Sequence, residues 1–300
     1  GYARIVGYAG VNIIVGIIIF ILNVKKGKKF FNKEFWKYAL GFNIPLLAYY
    51  LSQVIFNQSD RIMISHITST SDAAMYGVAY NLAMILTFVL NAINGSYVPW
   101  LYGKIKKNNA QDNKSISLIL IMLMGLIILC VIWYAPEIIL IMAGKQYSVA
   151  IYVVAPVSMS LLLLFYSQLF INIEFYYEEK KMLVYGSIGA AVLNIILNGL
   201  LIPIFGFVAA GYTTLISYIV FALSNYYTMR LMLKKRKLDD DMYDYKLLLL
   251  LFVAFMISGF LGVSLYGNLI LRILITLVVF GLLVINKNKF IDALKKIKER

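Results

Sequence analysis

Apolar residues fall along this chain in blocks of about 20, and a helical block of that length matches the hydrocarbon thickness of a bilayer. Nine such blocks stand out, roughly at 2–23, 38–67, 76–100, 115–134, 148–172, 182–202, 207–229, 247–265 and 269–285. No alternating strand pattern recurs. Backbone polar groups in lipid must be satisfied within their own segment, so each block is predicted to be a helix. The expected fold class is all-α, a polytopic transmembrane helix bundle of about nine spans.

Composition narrows the picture. Of 300 residues, 62% are hydrophobic and only 14% charged, against about 25% charged in soluble domains, which excludes a water-soluble enzyme. The 23 Tyr and 18 Phe suit interfacial belts, because amphipathic rings settle at headgroup level. A net charge of +14 would suit a nucleic-acid binder, but its distribution points elsewhere. The connections 25–37, 102–114, 174–181 and 230–246 and the tail 286–300 hold 24 of the 28 Lys and Arg, whereas the alternate connections contribute only Lys145. That asymmetry is the positive-inside signal. It predicts a multi-pass protein of the cell membrane with the first set cytoplasmic, and no nucleic-acid partner.

One His and one Cys exclude a dedicated His/Cys metal site by ligand count, and Cys130 has no partner for an intramolecular disulfide. No cofactor is expected. No signal peptide is visible, and the chain opens inside an apolar block with GYARIVGYAG. Nine spans ending in a cytoplasmic tail put residue 1 on the outer side, so an odd number of helices is expected upstream.

Polar residues at membrane depth are expensive and generally face a bundle interior or a wet cavity. In the second span Tyr49, Gln53, Asn57, Asp60 and Arg61 recur at intervals that place them on one helical stripe. The next span repeats the pattern with Tyr80, Met84, Thr87, Asn91 and Asn94. The first span offers Arg4, Tyr8 and Asn12, the fifth Ser160, Gln168 and Asn172, and the sixth Asn194 and Asn198. Five striped spans predict one shared hydrated interior, although any single Asn or Gln also serves as interhelical glue. Asp60 and Arg61 point about 100° apart on a helix, so each is expected to find partners on other helices. Asp60 is the one carboxylate expected well inside a span. Pro45 should bend its helix, since it removes an internal hydrogen bond.

Other features rank lower. The last two spans lack Asn and Gln and are expected to be peripheral and lipid-facing, with Arg272 snorkelling to the outer interface. Asp239, Asp240 and Asp241 lie beside Lys234–Lys237 and are expected to be a solvated charge run. His66 stands near the outer end of its span, where a proton-linked role is conceivable only as a minor alternative. The tail FIDALKKIKER is amphipathic and predicts an interfacial helix on anionic membrane lipid. The outer segment PEIILIMAGKQY is apolar on one side and is also a candidate for the interface.

The runs NQSDRIMISHI and AAMYGVAYNLAMILTFVLNAINGSYVPWLYGKIKK, followed by APEIILIMAGKQYSVAIYVVAPVSMSLLLLFYSQLFINIEFYY and GSIGAAVLNIILNGLLIPIFGFVAAGYTTLISYIVFALSNYY, resemble polysaccharide biosynthesis proteins. These are the Wzx-type oligosaccharide-lipid flippases of the MOP exporter superfamily. The resemblance implies a MATE-like transporter of two six-helix lobes and often two extra helices. On that template residues 1–37 are the last helix of the N-terminal lobe plus a basic linker, 38–233 the C-terminal lobe, and 234–300 two peripheral helices and a basic tail. The rest of the N-terminal lobe would precede them.

The resemblance further implies a non-enzymatic flippase that moves an undecaprenyl-pyrophosphate-linked oligosaccharide by alternating access, coupled to an ion such as H+ or Na+. Arg61 and Arg4 would meet the phosphates, Gln53, Asn57, Asn91 and Asn94 would hydrogen-bond phosphate or sugar, and Asp60 would serve coupling or gating. A lipid II flippase or a cation-coupled drug exporter of the same superfamily is the alternative. Arg61 and the scarcity of buried acids disfavour the drug exporter, and short outer segments disfavour a membrane polysaccharide polymerase or ligase.

Overall fold

The computed structural model describes residues 2–27, 31–179, 181–238 and 241–285; the expected tail helix lies outside them. Eleven α-helices follow in order: α1 Tyr2–Gly27, α2 Lys33–Ile67, α3 Thr70–Met84, α4 Leu86–Lys106, α5 Asn113–Trp133, α6 Ala135–Ala143, α7 Ile151–Tyr176, α8 Lys181–Phe205, α9 Val208–Lys235, α10 Tyr245–Ser264 and α11 Leu269–Ile285. Among the described residues there is no strand, and eight helical segments are long and apolar enough to cross a membrane. The protein is an all-α, multi-pass membrane protein. The block expected at 269–285 becomes the 17-residue α11, below the length of the other eight.

The chain divides into two compact units, 1–47 and 48–300. In the first, α1 presents Val11, Ile14, Ile18 and Phe20 around its circumference, all exposed. Such a surface suits lipid or another apolar helix. Asn12 returns its amide to the Tyr8 carbonyl at 2.8 Å, so this polar residue is satisfied within its own helix. The side chain of Arg4 lies outside the described residues. α2 stays helical across Pro45.

The second unit is built around α7, which buries 19 of its 26 residues and packs against α3, α5 and α9. A helix apolar on all sides belongs in the middle of a bundle. α9 in turn carries α8. Where a single span was expected at 76–100, helix α3 gives way to α4 at Ile85. Beside that step the Thr87 hydroxyl donates to the Met84 carbonyl at 2.6 Å, a back-bond that perturbs helical geometry locally.

The C-terminal helix α10 docks through glycines. A Cβ at Gly262 would lie 2.1 Å from the Trp133 ring and one at Gly259 2.1 Å from Met159; on α5, a Cβ at Gly125 would lie 2.4 Å from Phe255. Only hydrogen at these positions lets the backbones and rings approach so closely. Trp133 also donates its indole N–H to the Ser258 carbonyl at 3.2 Å, and the Tyr166 hydroxyl reaches the Leu248 carbonyl at 2.9 Å. The opposite face, with Leu249, Val253, Ile257 and Leu261, is exposed and fits lipid.

One expectation at the bundle ends is corrected. Arg272 does not snorkel: it is 2% exposed and grips Glu137 of α6 with both terminal nitrogens, Nη1 to Oε2 at 2.8 Å and Nη2 to Oε1 at 2.7 Å. It also donates to the Trp133 and Tyr266 carbonyls. The planar guanidinium is drawn inward because it finds a bidentate partner and two carbonyls there. Asp241 is exposed, as expected of a solvated charge run. It pairs with Lys114 and leads into Met242 and Tyr243, both buried. Asn113 donates to the Met242 carbonyl at 3.1 Å and accepts from Tyr97 at 2.8 Å, while Tyr243 donates to the Leu169 carbonyl at 2.7 Å. Asp239 and Asp240 lie outside the described residues.

Candidate functional site

The polar stripes of α2, α3, α4, α7, α8 and α9 divide into two assemblies. The first is dry. Asp60 is fully buried, and its Oδ2 accepts from the Tyr76 hydroxyl at 2.5 Å and the Thr214 hydroxyl at 2.8 Å, while Oδ1 accepts from Asn198 Nδ2 at 2.6 Å. Asn194 ties the ring together: its amide donates to Thr214 at 3.2 Å, and its oxygen accepts from Asn198 at 3.2 Å and from Ser59 at 3.1 Å. The Thr213 hydroxyl lies against the Asn198 oxygen.

Four helices, α2, α3, α8 and α9, thus converge on one carboxylate through neutral groups. Hydrogen bonds of this kind are what a buried carboxyl group needs in place of water.

Arg61, the next residue, turns to the other side of α2. Its Nη2 donates to Asn81 at 2.8 Å and its guanidinium stacks 4.9 Å from the centroid of Tyr80. Tyr80 in turn stacks on Tyr76 at 5.9 Å, so the two charges are separated by an aromatic pair. Arg61 Nε is buried without an acceptor. Among the described residues no carboxylate forms an ion pair with Arg61.

The second assembly is open. A cavity of about 250 Å³ is lined by Gln53, Thr87, Asn91, Gln168 and Tyr218 with apolar Met84, Leu90, Leu161 and Leu164. It opens beside the α3–α4 step, where Thr87 and Met84 face it. Asn94 sits at its edge, donating to Gln168, with Asn172 at 3.5 Å on the far side of Asn94. Apolar walls with a few polar groups are the usual composition of a ligand site.

Of the predicted residues, Gln53 and Asn91 line this cavity and Asn94 is one hydrogen bond away. Arg61 stands apart from the lining, beside Tyr80. The side chains of Arg4 and Asn57 lie outside the described residues. A single hydrated interior is therefore corrected: Asn194, Asn198 and Ser160, all buried, spend their groups on neighbouring protein atoms, Ser160 on the Pro156 carbonyl at 2.8 Å.

Sequence reasoning missed Tyr76, Thr213 and Thr214. Only their i, i+3 and i, i+4 relation to other polar residues signals them. It also placed Glu174 in a cytoplasmic connection, whereas it belongs to α7 and is 1% exposed. Asp60 is thus not the only buried carboxylate. Among the described residues no cluster of acids, His and Cys is suited to a metal ion.

The sequence pattern of the polysaccharide biosynthesis protein family matches residues 2–103. Lsg locus protein 1 of Haemophilus influenzae is 26% identical over 167 residues, an alignment covering 53% of this chain and 40% of that protein. An uncharacterized membrane protein of the same organism is 27% identical over 105 residues, covering 33% of this chain and 26% of that protein. The chain thus spans well under two thirds of the curated relatives it matches. No solved structure matches the chain. In sequence, then, residues 2–103 resemble the polysaccharide biosynthesis protein family.

Proposed function

We propose that this chain is the C-terminal lobe and more of a membrane flippase for cell-surface polysaccharide biosynthesis. It would translocate an oligosaccharide carried on undecaprenyl pyrophosphate by alternating access, without covalent chemistry. The observation that carries this reading is Arg61: an intramembrane guanidinium with no carboxylate partner among the described residues and a buried Nε lacking an acceptor. Such a group is suited to a phosphate, which a planar donor fork binds bidentately.

Gln53, Asn91 and Asn94 supply neutral hydrogen-bonding groups for sugar or phosphate around the cavity, and Asn57 is assigned the same role from its place in the sequence of α2. Arg4 is the second intramembrane cation assigned to the pyrophosphate, and the lipid tail stays between helices. A preceding six-helix lobe of the same protein would supply the opposite wall.

Asp60 is assigned to coupling with H+ or Na+. Its carboxylate is held by three neutral donors from three helices, so a change in its charge acts on α3, α8 and α9 together.

Binding of a fluorescent undecaprenyl-pyrophosphate oligosaccharide to the chain in lipid nanodiscs tests the assignment. Arg61→Ala should weaken binding about tenfold or more, as expected for a lost charge-assisted contact of about 1.5–3 kcal/mol, while Lys145→Ala should leave it unchanged. Equal affinity of Arg61→Ala and the unaltered chain would refute the phosphate role.

A further inference from the structure

Glu174 lies in the last turn of α7, 1% exposed. Its Oε1 accepts a hydrogen bond from the Thr228 hydroxyl of α9, but Oε2 is buried with no partner. One turn before Thr228, Asn225 is also 1% exposed. It donates Nδ2 to the Phe221 carbonyl at 2.8 Å, which leaves its Oδ1 buried with no partner as well. Thr228 links the two residues, its hydroxyl within 3.1 Å of the Asn225 carbonyl. Two acceptor oxygens are thus orphaned at one helix interface.

An ionised carboxylate in such a place is penalised by desolvation, and an orphaned buried acceptor adds to that penalty. Among the described residues no Lys or Arg forms an ion pair with Glu174. The titratable groups acting on it are Glu179, in the connection after α7, which carries like charge, and the Tyr49 phenol of α2. At this end Arg236 is taken up by the Tyr177 carbonyl at 2.9 Å and by Glu179 at 3.8 Å, and Arg230 lies over the Tyr226 and Tyr245 rings.

We propose that Glu174 is a proton-binding site at the α7–α9 seam, holding its proton on Oε2 as a neutral carboxylic acid with the Asn225 side-chain oxygen as acceptor. One proton satisfies both orphaned oxygens. The exchange is a simple ionisation: the O–H bond breaks, the electron pair stays on Oε2, and the proton passes to water. Water reaches Oε2 only when the C-terminal turn of α7 parts from α9, so release of the proton and opening of this seam are one event. This site is separate from the Asp60 network and does not depend on the flippase reading.

Infrared spectroscopy of the chain in nanodiscs at neutral pH, in an Asp60→Asn background that removes the other buried acid, tests the assignment. The Glu174→Gln difference spectrum should show loss of one protonated-acid C=O band and no loss of carboxylate bands. Asn225→Leu, which keeps Glu174, should move that band to higher frequency because its acceptor is gone. Loss of carboxylate bands on Glu174→Gln, or a C=O band that Asn225→Leu leaves in place, would overturn the proposal.

Discussion

Asp60 and Arg61 are neighbours in sequence but do not form each other's ion pair. Asp60 turns into a dry knot of Tyr76, Asn198 and Thr214, and Arg61 lies over Tyr80 with its fork on Asn81. The successive rotation of about 100° along a helix separates them, and the stacked Tyr76 and Tyr80 keep them apart. The carboxyl group is thereby built into the packing of four helices, and the guanidinium forms no ion pair with a carboxylate among the described residues.

That arrangement predicts different outcomes for two substitutions at Asp60. Asp60→Asn keeps an acceptor oxygen and should leave a folded chain. Asp60→Leu orphans the donors of Tyr76, Asn198 and Thr214 at about 1–3 kcal/mol each. Thermal unfolding in detergent should rank unaltered, Asn and Leu forms in that order of stability; an equally stable Leu form would show that the network contributes nothing.

The Arg272–Glu137 clasp makes a pH prediction. Hydrogen bonds from Arg272, more than its charge, hold the Glu137 carboxyl below the usual carboxylate range, against a smaller opposing effect of burial. A carboxyl with a lowered folded value stabilises the fold above its unfolded value of about 4.3 and loses that contribution as pH falls through the folded value. Unfolding midpoints of the unaltered chain and Glu137→Gln should therefore differ at pH 7 and converge as pH is lowered below about 4. A gap that persists unchanged to the lowest pH would contradict the clasp.

The glycine seam predicts steric sensitivity. Gly262→Ala sets a methyl against Trp133, and Gly125→Ala sets one against Phe255; overpacking of this kind costs about 1–3 kcal/mol. Gly103→Ala meets nothing within 4 Å and serves as the control. Loss of thermal stability for the first two only, with faster proteolysis in α10, is the expected pattern. Indifference at Gly262 would mean that α10 does not dock as described.

The expected orientation is tested by single cysteines at Ser69 and Lys107, with Cys130 replaced. They should label from opposite sides of the membrane; labelling from the same side would reverse the positive-inside assignment.

What could be read from the sequence divides along physical lines. Long apolar blocks survive as helices because bilayer thickness and backbone hydrogen bonding leave few alternatives, and Asp60 stood out as a charge where charge is expensive. Thr213, Thr214 and Tyr76 did not, since a hydroxyl in an apolar run commonly bonds its own helix and gives no hint of a tertiary partner. Glu174 was hidden by position: the apolar run fades after Phe170 and EEKK follows, so a buried acid in the last helical turn looks like the start of a connection. Arg272 misled for a similar reason. At a helix end a long cation normally reaches for headgroups, and only the distant Glu137 draws it inward.

We assign Arg61 to the phosphate of a lipid-borne oligosaccharide. Translocation of a fluorescent undecaprenyl-pyrophosphate oligosaccharide into membrane vesicles, from cells producing the full-length protein that carries this sequence, tests it most directly. Arg61→Ala should lower the translocation rate at least tenfold at unchanged protein level, with Arg61→Lys partly restoring it. A rate for Arg61→Ala equal to that of the unaltered protein would contradict it.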